Sequence, residues 1–422
     1  MKILFKTFLL CALLASAIPF TWAQQTESLH LSACQQLARA NYPQVKQHDL
    51  IVQSREYSLS NASKGYLPQF QLLAQATYQS DVTKMPIPLP GVTVLSKDQY
   101  KVYGELNQTL YDGGNIRNQK NVQTAASEID LSKVEVELHA IQEKVNQLYF
   151  GILLFEEQLK QTELVKSDIQ AGLKRVSASV KFGTALKSNE NTLHAELLKT
   201  EQKTIELKAS KKAYLDMLGL FINKKLSEET ILERPGNAAI ANEIKRPELV
   251  LYTSMSKLYS AQEGLLNAKN LPKVNLFAQG GLGRPALNML SNDFAFYYVG
   301  GVRLNWNFGG LYTLHKEKGI LELNRKMVSV QQETFLFNTS TQILQQNAEM
   351  EKLASLLNTD TDIINLRKQI KESSSAQLEN GVIQASDYIR EVNAEDMARQ
   401  TKLTHEIQLL LVQYSQQTTK GN

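Results

Sequence analysis

The segment Leu110-Tyr111-Asp112-Gly113-Gly114 ends a stretch of alternating apolar and polar residues and is followed by a long run without proline. From Asn115 to Phe182, only Gly151 and Gly172 interrupt strong helix formers. At 1.5 Å per residue, a helix of this length would extend roughly 100 Å. Apolar residues within it are spaced alternately by three and four, as in a coiled-coil seam: Leu138, Ile141, Val145, Leu148, Ile152, Phe155 and Leu159. The segment therefore predicts a strand that leads directly into a very long helix.

The second half of the chain repeats the landmarks of the first half. Four landmarks recur in the same order, displaced by 204, 204, 196 and 198 residues: Pro43 and Pro247, Pro68 and Pro272, Gly113-Gly114 and Gly309-Gly310, and Gly183 and Gly381. A nearly constant displacement indicates an internal duplication. The displacement falls from 204 to 196 between the second and third landmarks, where the first copy has the extra loop Met85–Gly91. Since loops tolerate such changes in length, the drop locates a surface loop.

Alternation of apolar and polar residues predicts two strands in each copy, at 66–80, 98–111, 272–283 and 293–308. Each run has the length of a tilted transmembrane strand. Aromatic rings settle at membrane interfaces, so the aromatic residues at the ends of these runs favour membrane strands: Tyr78, Tyr100, Tyr111, Tyr297, Tyr298, Trp306 and Phe308. Alternation alone also fits two soluble hairpins with one buried face.

These segments define the predicted domain organisation. The first structural repeat covers 24–234, a linker containing Pro235-Gly236 covers 235–246, and the second repeat covers 247–422. Each repeat is predicted to contain a helix, two strands, a long helix (115–182 or 311–380) and a returning helix (186–221 or 386–414). The predicted fold class is therefore mainly α with a small β part: two long coiled-coil hairpins and four strands per chain.

The first 23 residues have the pattern of a cleaved export signal. Lys2 and Lys6 precede an apolar run from Phe8 to Phe20. Within Thr21-Trp22-Ala23, small residues stand three and one before a possible cleavage site. Cys34 is the cysteine that remains after cleavage. It is either a small buried helix residue or, if Leu31-Ser32-Ala33-Cys34 is a lipoprotein processing box, a lipidated N-terminus.

Composition excludes several other classes of protein. Lys plus Arg total 46 against 42 for Asp plus Glu, which argues against nucleic-acid binding. Two cysteines are too few for a fold that is held together by several disulfide bonds. The six histidines are never spaced by three or four residues, and no catalytic pattern is present. We therefore predict no enzymatic activity, no metal site and no cofactor.

Four strands per chain cannot close a barrel, and open sheet edges are not tolerated in lipid. If the strands are membranous, several chains must therefore share one barrel, with the helices extending it as a tube outside the bilayer.

The ordered motifs resemble those of the TolC family of outer-membrane efflux proteins over nearly all of the mature chain. The motifs that carry the resemblance are Leu31–Pro43, Tyr66-Leu67-Pro68-Gln69 with its copy Leu271-Pro272-Lys273, Leu110–Gly114, Phe182–Glu196 and Asn380–Glu395. The resemblance implies a homotrimer with one shared outer-membrane β-barrel, surrounded by outer-membrane lipid, and a helical tunnel that places most of the mass in the periplasm. It also implies a passive exit duct fed by an inner-membrane pump or ABC exporter through a periplasmic adaptor (membrane fusion protein), and no catalysis.

The resemblance also suggests roles for individual residues. The turns would dock the adaptor, with Gly183, Thr184, Ala185 and Leu186 in the first copy and Gly381, Val382 and Ile383 in the second. Asp387 lies where the family often has the first acidic residue of a tunnel gate, with Asn189 at the matching place in the first copy. Arg390 replaces the second acidic residue and could pair with Asp387 one helical turn away, so an ordinary solvated helix face remains an alternative to a gate. The pairs Gly113-Gly114 and Gly309-Gly310 would be the strand-to-helix exits.

A periplasmic coiled-coil adaptor or scaffold without a channel is the alternative function. It would share the long helical hairpins. Adaptors usually carry a membrane anchor and small lipoyl-like β domains, which this sequence lacks, and an adaptor would leave the aromatic-ended alternating segments unexplained.

Overall fold

The computed structural model describes residues 28–83, 94–239 and 242–421. The predicted export signal at 1–23 and the loop Met85–Gly91 lie outside the described residues. The predicted linker is described except for residues 240 and 241.

The described chain is mainly helical with a small sheet. The elements of the first half are α1 (Leu31–Asn41), α2 (Val45–Ser63), a 3-10 turn (Lys64–Tyr66), β1 (Gln69–Tyr78), β2 (Asp98–Tyr111), α3 (Asn115–Lys181) and α4 (Lys187–Ile222). Those of the second half are α5 (Pro247–Lys269), β3 (Lys273–Arg284), β4 (Ala295–Asn305), α6 (Gly310–Glu379) and α7 (Ala385–Lys420). The predicted fold class is confirmed.

Some element ends differ from the predicted ones for local reasons. Strand β1 begins at Gln69 rather than at 66, because the chain up to Tyr66 forms the 3-10 turn and Pro68 has no N–H to donate. Helix α7 continues to Lys420, six residues beyond the predicted end. Its last turns are fixed by packing, since Gln416 is fully buried and its Nε2 donates to Asn347 Oδ1 at 2.6 Å.

The four strands form one antiparallel sheet in the order β1-β2-β3-β4. The register pairs even-numbered residues with even-numbered residues from strand to strand. Leu72 lies opposite Gly104, Gly104 opposite Gly280, and Gly280 opposite Tyr298. Neighbouring side chains along a strand point to opposite faces, so even-numbered residues of all four strands share one face.

The chain divides into two compact units, each built from parts of both halves. In unit 1, which includes 145–238 and 353–411, a buried cluster joins α3, α4 and α7 through residues such as Ile169, Leu193 and Val392. Unit 2 comprises Arg39–Lys144, Ala239–Lys352 and Val412–Asn422, and it contains the sheet. The predicted repeats are a division of the sequence, and their boundaries stay a prediction.

Cys34 is fully buried in α1, and burial raises the pKa of its thiol to about 11, although Lys224 acts in the opposite direction. Residues before it are ordered, since the Tyr149 hydroxyl bonds the carbonyl oxygens of Leu29 and Glu233, each at 2.6 Å. Of the two alternatives for Cys34, the structure therefore shows the small buried helix residue.

Within the part of the chain that the structure describes, none of the helices combines the length and apolarity needed to cross a membrane.

Candidate functional site

The turns at Gly183 and Gly381 have the same backbone structure. Both glycines have a positive φ (+76° and +70°), a conformation that side chains with a Cβ rarely adopt. Each turn is closed by the two N–H to C=O bonds of a Schellman motif. The bonds, donor first, are Gly183 to Val180 (3.0 Å), Thr184 to Ser179 (2.9 Å), Gly381 to Leu378 (3.1 Å) and Val382 to Gln377 (2.9 Å). The two matching turns of the predicted repeats thus have matching geometry.

Both turns present apolar side chains to solvent. Leu186 and Val382 are 68% and 71% exposed, and Phe182, which the sequence analysis did not assign to the docking tip, is 80% exposed. Thr184 is also exposed, whereas Ala185 and Ile383 are half-buried. Exposed apolar side chains at a turn are typical of a contact surface. The signal that could have identified Phe182 is its apolar side chain at a predicted helix end.

A partly buried ion network lies in unit 1, the unit that also contains these turns. Lys371 on α6 contacts Asp168 on α3 and Glu395 on α7, each at 2.7 Å. Burial acts to lower the pKa of Lys371, but its hydrogen bonds to these two carboxylates outweigh burial and raise it above 10.5. Burial likewise acts to raise the pKa of Glu395, yet its bonds from Lys371 and Arg399 bring it below 4.5. The network therefore links α3, α6 and α7 through ion pairs.

The glutamates of the two turn-plus-helix motifs have different surroundings. The side chain of Glu395 is 5% exposed, whereas that of Glu196 is 17% exposed and accepts a bond from Asn393 Nδ2 at 2.9 Å. Glu196, Asn393 and the half-buried Asp396 line an open groove of about 830 Å³. Burial raises the pKa of Asp396, against hydrogen bonds from Gln400 and Gln161. In both copies, the glutamate of the turn-plus-helix motif therefore bonds to a side chain on another helix.

The structure places the gate candidates in the first turns of α4 and α7. Asp387 is the third residue of α7, and its Oδ2 accepts the N–H of Gln384 at 3.3 Å, a helix N-terminal cap. Arg390 lies 3.6 Å from Asp387 and 3.3 Å from Glu391, so the pairing of Arg390 with Asp387 is present. Asn189 is the third residue of α4 and occupies the matching position without a charge. The Arg390 side chain is 70% exposed, so its pairs are solvated and weak.

The strand-to-helix exits differ between the copies. Gly113 and Gly114 have φ of +69° and +78°, and the buried Asp112 caps α3 by accepting the N–H groups of Gly114 (2.8 Å) and Ile116 (2.6 Å). Gly309 and Gly310 are outside the left-handed region. There, Asn307 Oδ1 accepts the Gly309 N–H at 2.9 Å. A Cβ on Gly310 would lie 2.1 Å from Asn270 Oδ1, so this glycine permits a close approach.

One face of the sheet is apolar and exposed across all four strands. Its side chains are between 42% (Leu106) and 77% (Tyr298) exposed, and they comprise Phe70, Leu72, Val102, Leu106, Leu276, Leu282, Phe296, Tyr298, Val302 and Leu304. Aromatic residues lie at both ends of this face, with Tyr78 and Tyr100 at one end and Trp306 and Phe308 at the other. Such a face with aromatic ends is typical of strands that contact lipid.

Among the described residues, no group of three or more His, Cys, Asp or Glu side chains is placed to hold a metal ion.

Comparison with known proteins gives a family match and several shared folds. The model of the family described as outer membrane efflux protein matches residues 35–218. No curated protein matches the chain. Three of the solved structures with the same fold are CusC (13% identity, covering 93% of this chain and 92% of that one, TM-score 0.69), VceC from Vibrio cholerae (13%, 93% and 96%, 0.66) and the CmeC outer membrane channel of Campylobacter jejuni (14%, 95% and 88%, 0.64). At these identities the likeness establishes the fold.

The family match and the shared fold agree with the motifs singled out in the sequence. The match spans α1 to α4, and therefore includes the first strand pair, the first strand-to-helix exit and the first turn. The folds extend the likeness over the second copy of each feature. Together they confirm the resemblance of the chain to the TolC-like outer membrane efflux proteins, which its motifs predict.

Proposed function

We propose that three copies of this chain form one passive exit duct through the outer membrane. Each copy contributes four strands to a shared barrel and its long helices to a periplasmic tunnel. The observation that carries the proposal is the sheet itself, which combines one continuous apolar face with two outer strands that are paired on one side only. In lipid, unpaired strand edges are costly, so the edges need partners from other copies.

The direction of the outer strands allows a closed ring. Because the sheet has four antiparallel strands, β1 and β4 run in opposite directions. Pairing β4 of one copy with β1 of the next therefore continues the antiparallel pattern, and repeated rotation closes a ring without edges. Three copies follow from the family resemblance.

The match to the family model and the shared fold support the predicted outer-membrane efflux function in preference to a periplasmic adaptor or scaffold. The prediction of outer-membrane localisation is confirmed on the same ground. The family is one of channels, which supports the prediction of a protein without catalytic activity.

The turns are the proposed contact with a periplasmic adaptor, which would connect the duct to an inner-membrane pump or ABC exporter. Exposed Phe182, Leu186 and Val382 support this role, because apolar side chains at a helix turn gain from burial against a partner. Asp387, Arg390 and Asn189 are the proposed tunnel gate. Their place in the first turns of α4 and α7, directly after the docking turns, would let adaptor contact act on the gate.

Cysteine cross-linking in outer-membrane vesicles tests the shared sheet. Ala74→Cys on β1 is combined in turn with Phe296→Cys, Tyr298→Cys or Gly300→Cys on β4. One register should give covalent dimers and trimers under oxidising conditions and no larger species. Cys34 is buried and does not compete.

Val102→Cys replaces Ala74→Cys as the control, because β2 has a strand on both sides within its own chain and cannot reach a neighbouring copy. Absence of cross-links in every β4 combination of a folded, membrane-inserted protein would contradict the proposal. So would a water-soluble particle without a detergent belt in electron microscopy.

A further inference from the structure

The face of the sheet opposite the apolar one is polar and carries an excess of cationic side chains. Strand β1 contributes no charge to it. The charged residues on this face are Lys101 and Glu105 on β2, Lys273 on β3 and Arg303 on β4. The other charged strand residues, Asp98 and Arg284, form an ion pair with each other at even-numbered positions.

Arg303 is held in a defined position on the polar face. Its guanidinium lies over the Phe277 ring, 4.5 Å from the centroid, a cation–π arrangement. The ring itself lies against Gly301, where a Cβ would come within 3.2 Å of it. Arg303 therefore reaches across β3 toward β2 while its side chain stays 45% exposed.

Glu105 neutralises this cation only in part. It lies 3.6 Å from Arg303, but it is buried, and its oxygens also accept bonds from Asn107 (2.5 Å) and Gln279. Lys101 and Lys273 remain half-exposed, and the carboxylate that this face carries within the described strands, Glu105, contacts Arg303. The face thus carries three cations and one buried carboxylate per chain.

We propose that this cationic face lines the barrel lumen and makes the duct favour anionic solutes over cationic ones, with Arg303 as the main selectivity residue. The inference rests on the proposed function, because only a shared barrel turns the polar face inward. In a trimer, three Arg303 side chains would surround the permeating ion, and rings of Arg or Lys favour anions. The substrate class it implies is organic or inorganic anions.

The test is the reversal potential of the purified trimer in planar bilayers under a KCl gradient. The wild-type protein should pass chloride in preference to potassium. Removing three charges about 10 Å from an ion in physiological salt changes its local concentration by about twofold. Arg303→Gln should therefore lower the chloride-to-potassium permeability ratio by about fourfold, because local chloride falls and local potassium rises by about twofold each. Glu105→Gln should raise the ratio.

Arg303→Lys is the matched control, because it keeps the charge and should keep a ratio close to the wild-type value. A potassium-selective wild-type channel would overturn the inference, and so would an Arg303→Gln variant with an unchanged ratio. Both outcomes leave the duct intact, whereas a protein that forms no trimer and no conducting pore contradicts the proposed function itself.

Discussion

At the scale of single residues, three turn glycines share a positive φ but differ in their surroundings. A Cβ on Gly183 or Gly381 would meet no atom within 4 Å, whereas one on Gly113 would lie 2.7 Å from Leu271 Cβ and 2.8 Å from the Ala268 carbonyl oxygen. Gly183→Ala should therefore cost only the left-handed strain, about 1 kcal/mol. Gly113→Ala should cost about 1–3 kcal/mol more, because it adds overpacking. Thermal unfolding of the two variants in detergent measures the difference.

The control for this prediction is Gly183→Asn, because asparagine tolerates the left-handed region better than alanine. It should unfold at a temperature between those of the wild type and Gly183→Ala. Equal destabilisation by Gly183→Ala and Gly113→Ala would contradict the role assigned to the close approach at Gly113.

Lys371 provides a second prediction at this scale. Lys371→Met removes the cation from Glu395, whose side chain is 5% exposed, and leaves Arg399 as its remaining basic contact. Because Glu395 keeps Arg399 and Asp168 is 41% exposed, the loss of Lys371 should destabilise the protein by about 1–3 kcal/mol. A double-mutant cycle with Glu395→Gln measures the coupling, and the double variant should recover part of the loss. Lys368→Met, which removes an exposed pair on the same helix, should change stability by less than about 1 kcal/mol.

The same network predicts a pH range for stability. The pKa of Glu395 is lowered in the fold, so its contribution is present above about 4.5 and is lost as the pH falls through the folded value. The pKa of Lys371 is raised, so its contribution is complete below about 10.5 and is lost as the pH rises beyond that value. The difference in melting temperature between the wild type and the Lys371→Met, Glu395→Gln double variant should therefore be largest between these limits. A constant difference below pH 4.5 would contradict the assignment.

At the scale of the elements, α6 carries an exposed apolar stripe within unit 2. Its members are spaced by three or four residues, or by seven, and are between 56% and 72% exposed: Ile320, Leu323, Met327, Val330, Phe337 and Leu344. This spacing is that of a coiled-coil seam, which buries its apolar side chains against another helix. We expect the neighbouring copy in the trimer to cover it.

Leu323→Glu tests the stripe, because a charge there would be desolvated in the assembled trimer but not in a single chain. The variant should lose trimers in native mass measurements while its helical circular dichroism stays close to that of the wild type. Ser329→Glu, an exposed position on the same helix outside the stripe, should leave the trimer intact. Trimers of Leu323→Glu as stable as those of the wild type would exclude the stripe as an interface.

The elements show which parts of the structure the sequence could predict. Apolar residues recur every two residues in a strand with one apolar face and every 3.5 residues in a coiled-coil helix. The strands and the long helices were therefore predictable from the spacing of apolar residues. The cap of α3 by Asp112 follows from a local motif as well. The Lys371 contacts were not predictable, because they depend on how three helices pack, and Asp168 lies 203 positions from Lys371 in the sequence. The last turns of α7 were missed for the same reason, since distant packing fixes them.

At the scale of the whole molecule, the two predicted repeats have turns with the same backbone but different charges after them. Asn189 and Asp387 occupy matching positions, so threefold assembly would give one neutral and one acidic ring. A gate that depends on repulsion needs the acidic ring, whereas a helix cap needs only an acceptor for the Gln384 N–H. The charge and the cap can therefore be separated by substitution.

Asp387→Asn removes the charge and retains a side-chain acceptor, whereas Asp387→Ala removes both. If the ring of charges controls the tunnel, both variants should change the single-channel conductance in planar bilayers equally, and Asn189→Asp should change it in the opposite sense. If Asp387 is only a cap, Asp387→Ala should lower the melting temperature by the equivalent of about 1 kcal/mol, and Asp387→Asn should match the wild type in both conductance and stability.

Arg390→Gln is the remaining comparison. Because Arg390 pairs with Asp387 at 3.6 Å, its removal should strengthen the acidic ring, so a conductance change in the same direction as that of Asp387→Asn would exclude an electrostatic gate.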